Sequence, residues 1–295
     1  MAVAEPGLHP APPPAAPQGY WRTVGRRLGR DRVALAAGLV AAGLVAMAIL
    51  APWIAPADPL EGSMMDRLSP IGSEGYPLGA DELGRDMLSR LIWGARLSLF
   101  MGVTPVLIAF VVGGAIGIAA GYAGGWVNTV TMRVLDVLYA FPSVLLAIAI
   151  SGALGAGIAN GLLSLTVVFI PPIARVAESV TTGVRKLEYV EAARASGASG
   201  LRIVREHVLG NVLGPIFVYA TSLVSVSMIL AAGLSFLGLG VSPPEAEWGL
   251  MLNTLRNAIY VEPWLAALPG AMIFLTSISF NMLSDGLRSA MDLKA

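Results

Sequence analysis

The sequence predicts an all-α, polytopic membrane protein with six transmembrane helices, and three observations carry that expectation. Of 295 residues, 56% are hydrophobic and only 13% charged, with a mean hydropathy of +0.73. A water-soluble surface on a chain of this size needs many more charges. A bilayer core of roughly 30 Å calls for about 20 mostly apolar residues per helix, and six stretches supply them. Counting six spans also gathers the cationic clusters on one side of the membrane.

Taken in order, residues 1–32 are expected to form a disordered, basic cytoplasmic tail. Its Pro/Ala-rich start (His9-Pro-Ala-Pro-Pro-Pro-Ala-Ala-Pro) cannot bury a core. The first span covers about 33–54 and reads as an uncleaved anchor, because its apolar run is too long and starts too late for a signal peptide. With the loop that follows it makes a unit of 33–96. Further spans are expected at about 97–120, 128–152, 158–180, 212–239 and 264–284 within a transmembrane domain of 97–288. Gly152, Gly155, Gly157 and Gly161 blur the boundary between the third and fourth. Residues 289–295 form a short tail.

Arg22, Arg26, Arg27, Arg30 and Arg32 crowd the approach to the first span, and Arg288 and Lys294 follow the sixth. Arg185, Lys186, Arg194, Arg202 and Arg205 lie in the polar loop 181–210. The positive-inside rule puts all three groups, and both termini, in the cytoplasm. On the opposite side, the 55–96 loop sets seven acids against four arginines.

Several functions are excluded. With no cysteine there is no disulfide, thiolate nucleophile or cysteine-based metal site. The histidines are His9 and His207, so no span carries the histidine that a serine–histidine protease needs. His207 lacks a partner for metal and reads as a solvated side chain. The lysines, Lys186 and Lys294, are not followed by Ser or Thr, so a phosphate-binding loop is missing. No cofactor is expected in this chain, and any ATP-Mg belongs to other polypeptides. A formal net charge of zero gives no basic field for nucleic acid. Six dissimilar spans do not supply the two halves of an inverted-repeat carrier, and one such chain is thin for a pore. A second membrane subunit is therefore expected, with lipids around both.

Between the fourth and fifth spans runs Glu188-Tyr-Val-Glu-Ala-Ala-Arg-Ala-Ser-Gly197, a polar segment that must face water. Ala192, Ala193 and Ala195 favour helix and leave little bulk, so another surface can approach closely. Gly197 and Gly200 bracket a turn. A second helix is expected from Leu201 to about Leu209, with Leu201, Val204 and Val208 on one face. The pattern Glu191-Ala192-Ala193, three residues, Gly197 resembles the coupling loop of ABC importer permeases. That family continues with Ile-x-Leu-Pro, where this chain has His207, Val208, Leu209 and Gly210. Glycine in place of proline keeps a bend plausible and softens the joint.

Tyr76-Pro-Leu-Gly-Ala-Asp-Glu-Leu-Gly-Arg-Asp-Met-Leu-Ser-Arg-Leu-Ile-Trp-Gly-Ala-Arg96 resembles the dipeptide/oligopeptide/nickel branch of the same family. So do Gly121 to Trp126, Pro243 to Leu252 and Phe280 to Arg288. Asp81 or Asp86 is expected to cap a short helix whose Met87, Leu88, Leu91 and Ile92 lie on the membrane surface.

Gly113, Gly117 and Gly121 repeat every four residues, a spacing that lets helix backbones touch. Arg133 with Asp136, Arg175 with Glu178, and Asp285 with Arg288 are expected as pairs along single helices. Pro142, Pro171 and Pro172 are expected to kink the third and fourth spans. Thr221, Ser222 and Ser225, with Asn281 on the sixth span, either line a path or bond back to their own helix carbonyls.

The resemblance implies the type I ABC importer fold and the role of a second permease subunit. Its partners are another permease, two cytoplasmic ATPases and an external binding protein. It implies that Glu188, Glu191, Ala192, Ala193, Ser196 and Gly197 form the ATPase-coupling loop, and that no covalent chemistry happens in this chain. The substrate implied is a dipeptide or oligopeptide, or in the same family nickel or glutathione. A carrier or channel without ATPases is the alternative from another class.

Overall fold

The computed structural model describes residues 20–291, which are helical throughout apart from turns, isolated bridges and short 3-10 segments. A first helix, α1 (Tyr20–Leu28), lies inside the segment expected to be disordered. Residues 1–19 and 292–295 lie outside the described part. The first span is α2 (Arg32–Ile54), and Asp31 caps it by accepting from the Val33 and Ala34 amides at 2.9 and 3.1 Å.

The second span is much longer than expected. Helix α3 (Met87–Ala123) has 37 residues, about 55 Å at 1.5 Å per residue. Asp86 caps it, accepting from the Ser89 amide at 2.8 Å, as one of the two candidate capping residues should. Met87, Leu91 and Ile92 are buried within the protein, however, and Leu88 is half-buried. The helix does not stop between surface and bilayer, so they pack beneath a folded cap instead of lying on the membrane.

The third span is broken. Helices α4 (Gly125–Tyr139) and α5 (Ser143–Leu154) meet at 84° where Ala140, Phe141 and Pro142 interrupt the hydrogen-bond ladder. At 12 residues α5 is about 18 Å long, too short to cross a bilayer alone. Gly155 and Gly157, with φ of 91° and 144°, turn the chain into α6 (Ile158–Arg185). Pro171 and Pro172 lie inside α6 without ending it.

After the polar loop come α7 (Glu188–Ala195) and α8 (Gly200–Ile203). A single π-turn at Val204–Val208 leads directly into α9 (Leu209–Phe236). Then α10 (Trp248–Thr254) and a 3-10 segment structure the loop before α11 (Pro263–Met291). Among the described residues five helices are long and apolar enough to span a membrane, and the bent pair, counted as one span, brings the number to six.

The glycine stripe has the packing role its spacing predicts. A Cβ on Gly113, Gly117 or Gly121 would fall 2.8, 2.2 and 2.7 Å from the carbonyl oxygens of Ile170, Ala174 and Glu178. The backbones of α3 and α6 therefore touch, and only glycine permits it.

Over the N-terminal end of α3, residues 55–86 and the segment around α10 form a compact cap. Asp81, 2% exposed at its side chain, pairs with Arg85 at 2.7 Å and Arg90 at 3.1 Å. Arg90 also donates to the carbonyls of Pro59 at 2.8 Å and Glu245 at 3.3 Å. Glu247 holds α10 in place. It accepts from Ser98 Oγ at 3.1 Å and from the Gly249 and Leu250 amides at 2.9 and 2.8 Å. Burial pushes its carboxyl above the usual range, and those amide bonds oppose the push. The neighbouring Trp248 indole donates to the Leu91 carbonyl at 3.0 Å.

Candidate functional site

The polar loop folds as a helix, a turn and a continuous entry into the fifth span. Lys186 and Leu187 end α6, and Leu187 is extended (φ −76°, ψ 143°), which redirects the chain into α7. Two turns of helix follow, with Val190 fully buried and Ala193 half-buried against the core. Glu188, Glu191, Ala192 and Ser196 stay exposed. Of the paired alanines, Ala192 thus faces water and Ala193 seats the helix.

The turn is fixed by backbone geometry. The Gly197 amide donates to the Arg194 carbonyl at 3.0 Å, and the Ala198 amide to the Ala193 carbonyl at 3.2 Å. Those two bonds make a Schellman closure with the left-handed residue, Gly197 at φ 81°, in the position where glycine belongs. A Cβ there would meet nothing within 4 Å, so conformation and not space selects glycine. Ser196 Oγ donates to the Ala192 carbonyl at 2.9 Å. Ser199 then caps α8, accepting weakly from the Arg202 amide at 3.4 Å.

Beyond the turn the structure departs from the expected second helix. Leu201 is 81% exposed, while Ile203 and Val208 are buried. The chain runs through Gly210 as one helical stretch from Gly200 to Phe236. The looseness that glycine was expected to bring is taken up one turn earlier, by the π-turn, which inserts an extra residue per turn and rotates the inward face.

Residues not singled out from the sequence tie this loop to the spans. Asn211 in α9 donates to Tyr189 Oη at 3.0 Å and to the His207 carbonyl at 2.7 Å. The Tyr189 and His207 rings meet edge-on at 6.1 Å. His207 is thus a packing element, without a metal partner among the described residues. At the end of α6, Arg185 donates to the Gly121 and Tyr122 carbonyls at 3.3 and 3.0 Å, satisfying the last turn of α3. Tyr122 in turn lies against Gly200.

Arg202 pairs along its own helical segment with Glu206 at 3.1 Å, whereas Arg175 and Glu178 find partners on other elements or further along the chain. Arg175 of α6 pairs with Asp136 of α4 and lies 5.5 Å from the centre of the Tyr139 ring. Glu178 instead accepts from Asn128 at 2.5 Å and Thr182 at 2.9 Å. Gly124 and Gly125, with φ of 67° and 54°, turn the chain from α3 into α4, which packs against α6 and brings Asp136 within reach of Arg175 in place of the expected Glu178. Among the ion pairs of the described residues, neither Arg133 with Asp136 nor Asp285 with Arg288 occurs.

The polar stripe of α9 bonds to its own backbone. Thr221, Ser222 and Ser225 donate to the carbonyls of Val218, Tyr219 and Ser222 at 2.8, 2.7 and 2.9 Å. Thr221 also meets Ser284 Oγ of α11 at 3.1 Å. Asn281 is exposed on α11 and joins none of these bonds.

The structure thus holds a bundle of apolar helices with an ordered, exposed helix–turn between α6 and α9. Residues 113–294, well over half the chain, match the family described as the binding-protein-dependent transport system inner membrane component. The chain belongs to that family of ABC importer permeases. Residues 19–70 match the N-terminal transmembrane domain of oligopeptide transport permease C. The glutathione transport system permease protein GsiD of Pectobacterium atrosepticum is 42% identical over 93% of this chain and 91% of its own length. Its namesakes in Escherichia coli and Shigella sonnei are 41% identical over 93% of this chain and 90% of theirs. The protein is a multi-pass membrane permease, a transport subunit. In general terms the family brings a partner permease, ATPases and a binding protein.

Proposed function

We propose that this permease imports short peptides, glutathione among them, as one half of a heterodimeric pathway. An external binding protein delivers the substrate, and two cytoplasmic ATPases bind and hydrolyse ATP-Mg. The loop containing Glu188, Glu191, Ala192, Ala193, Ser196 and Gly197 is their point of attachment. The observation that carries the coupling assignment is α7 itself, a helix that exposes Glu188 and Glu191 and is tied through Tyr189 to the fifth span. Its movement is passed to α6 and α9 as rigid bodies, switching access from one side to the other. Thr221, Ser222, Ser225 and Asn281 are the pathway candidates of this half. The hydroxyls of Thr221 and Ser222 are satisfied by the helix and leave half-buried methyl and methylene surface for a passing peptide, Ser225 backs them from inside the bundle, and Asn281 offers an exposed amide.

The substrate reading draws on the relatives, whose name specifies glutathione, a small peptide-like molecule. This orientation puts 1–32, 181–210 and 286–295 in the cytoplasm. Cysteine at Glu74 reacts with an impermeant external thiol reagent in cells, and cysteine at Ser199 does not.

The deciding experiment is reconstitution with the partner permease, ATPases and binding protein in liposomes. ATP-dependent accumulation of labelled tripeptide and glutathione is expected, with no nucleotide bound by this subunit alone. Accumulation driven by an ion gradient without ATP would instead make the chain a carrier.

A further inference from the structure

A recess of about 510 Å³ opens at the N-terminal end of α3, away from the coupling loop. It is lined by Pro59, Leu60, Trp93, Arg96, Phe100 and Glu245, among others. Three features of it stand together. Arg96 is exposed and lies 5.1 Å from the centre of the Trp93 ring, without an ion pair. Glu245 is also exposed and, like Arg96, makes no ion pair among the described residues, although its charge lies within electrostatic reach of Arg90, so the recess offers one cation and one anion. Below it, the same face of α3 continues as a stripe of exposed Phe100 (47%), Leu107 (55%), Ile108 (42%) and Val111 (66%). From Phe100 to Val111 the stripe covers about 16 Å of helix, about half the thickness of a bilayer core.

We infer that this recess binds the headgroup of a zwitterionic phospholipid with a primary ammonium, phosphatidylethanolamine, while its acyl chains lie along the α3 stripe. Arg96 offers the planar N–H fork that suits a phosphodiester, and Trp93 orients it from one side. Glu245 accepts from the ammonium, which carries three N–H donors. Trp93 and Arg96 precede the expected start of the second span at residue 97, the level at which aromatic and basic side chains meet lipid headgroups. A zwitterionic peptide offers the same two charges, but the half-buried Thr104 is the stripe's one hydroxyl between Phe100 and Val111, and the surface around it matches a hydrocarbon chain. The inference is independent of the coupling loop and of which side of the membrane the recess faces.

The test is native mass spectrometry on the full chain, purified with its transporter partners and equilibrated with equimolar phosphatidylethanolamine, phosphatidylcholine and phosphatidylglycerol. Phosphatidylethanolamine should be retained about fivefold over phosphatidylcholine, whose quaternary nitrogen has no N–H for Glu245. Arg96→Gln should lower that retention about tenfold. Glu245→Gln should abolish the preference over phosphatidylcholine, since the ammonium loses its charged acceptor. Equal retention of phosphatidylethanolamine and phosphatidylcholine by the unaltered protein would overturn the proposal without recourse to any variant. So would Arg96-dependent displacement of the lipid by trialanine, which would make the recess a peptide site.

Discussion

Asn211 donates to Tyr189 at 3.0 Å, a single bond that joins the water-facing helix α7 to the first turn of the fifth span. Because the same amide also holds the His207 carbonyl, the junction spans the π-turn that would otherwise be the softest point between loop and membrane.

That bond should matter to coupling more than to folding. A net hydrogen bond at an exposed site contributes about 0.5–1.5 kcal/mol, too little for its loss to unfold the bundle. Tyr189→Phe and Asn211→Ala are each expected to assemble normally and keep ATP hydrolysis, while substrate moved per ATP falls about two- to tenfold. Parallel measurement of uptake and phosphate release checks this. An unchanged ratio in both variants would remove the bond from the mechanism.

Gly197 makes a separate demand. Valine at φ 81° is strained by about 1–3 kcal/mol, and the Schellman closure opens. Glu191→Arg reverses the charge on the exposed face without touching the turn. Both variants are expected at normal levels in the membrane by immunoblot, with ATP-dependent uptake lost or sharply reduced. Native uptake by the double variant Glu191→Arg/Gly197→Val would rule out the coupling role.

Two neighbouring glycines in α3 should behave oppositely. Leucine at Gly117 would drive into the Ala174 backbone, whose oxygen would lie 2.2 Å from the new Cβ, so the subunit should be lost from the membrane. Alanine at Gly114 meets nothing within 4 Å and should be neutral or slightly stabilising, since glycine in a helix costs about 0.5–1 kcal/mol relative to alanine. Thermal unfolding in detergent distinguishes the two.

The cap makes the last prediction. Asp81→Ala leaves the guanidinium groups of Arg85 and Arg90, 5% and 2% exposed, without their shared carboxylate. Removing one partner from a buried ion pair typically costs about 3–5 kcal/mol. A marked fall in melting temperature is expected. Asp66→Ala, which removes only a long 3.3 Å bond from Tyr76, should change it little.

Much of this was legible in the sequence because the membrane restricts the solutions. Length and hydropathy located the apolar stretches, and the four-residue glycine spacing marked α3 for close backbone packing without naming α6 as its partner. What escaped depended on where helices turn. The 84° bend at Pro142 could not be scaled from a proline alone. The turn at Gly124 and Gly125 sets α4 against α6, so the partner of Arg175, sought on its own helix, lies on another. Likewise, a π-turn leaves no compositional mark, and its extra residue exchanged Leu201 for Ile203 as the buried side chain. In the loop, Glu191 and Gly197 stood out by pattern. Tyr189 and Asn211 are 22 residues apart and meet only when the turn is closed.

Helix α3 is held at both ends, by Arg90 and Asp81 beneath the cap and by Arg185 on its final carbonyls. It is therefore a strut through the bilayer, braced against the stem of the loop on one face and the cap on the other. Thermodynamic reciprocity then applies along its length. To whatever extent a protein seated on the cap favours one tilt of the strut, it alters affinity at the loop by the same factor that occupancy of the loop alters affinity at the cap. A delivery signal and a power stroke would share one piece of machinery, read in opposite directions.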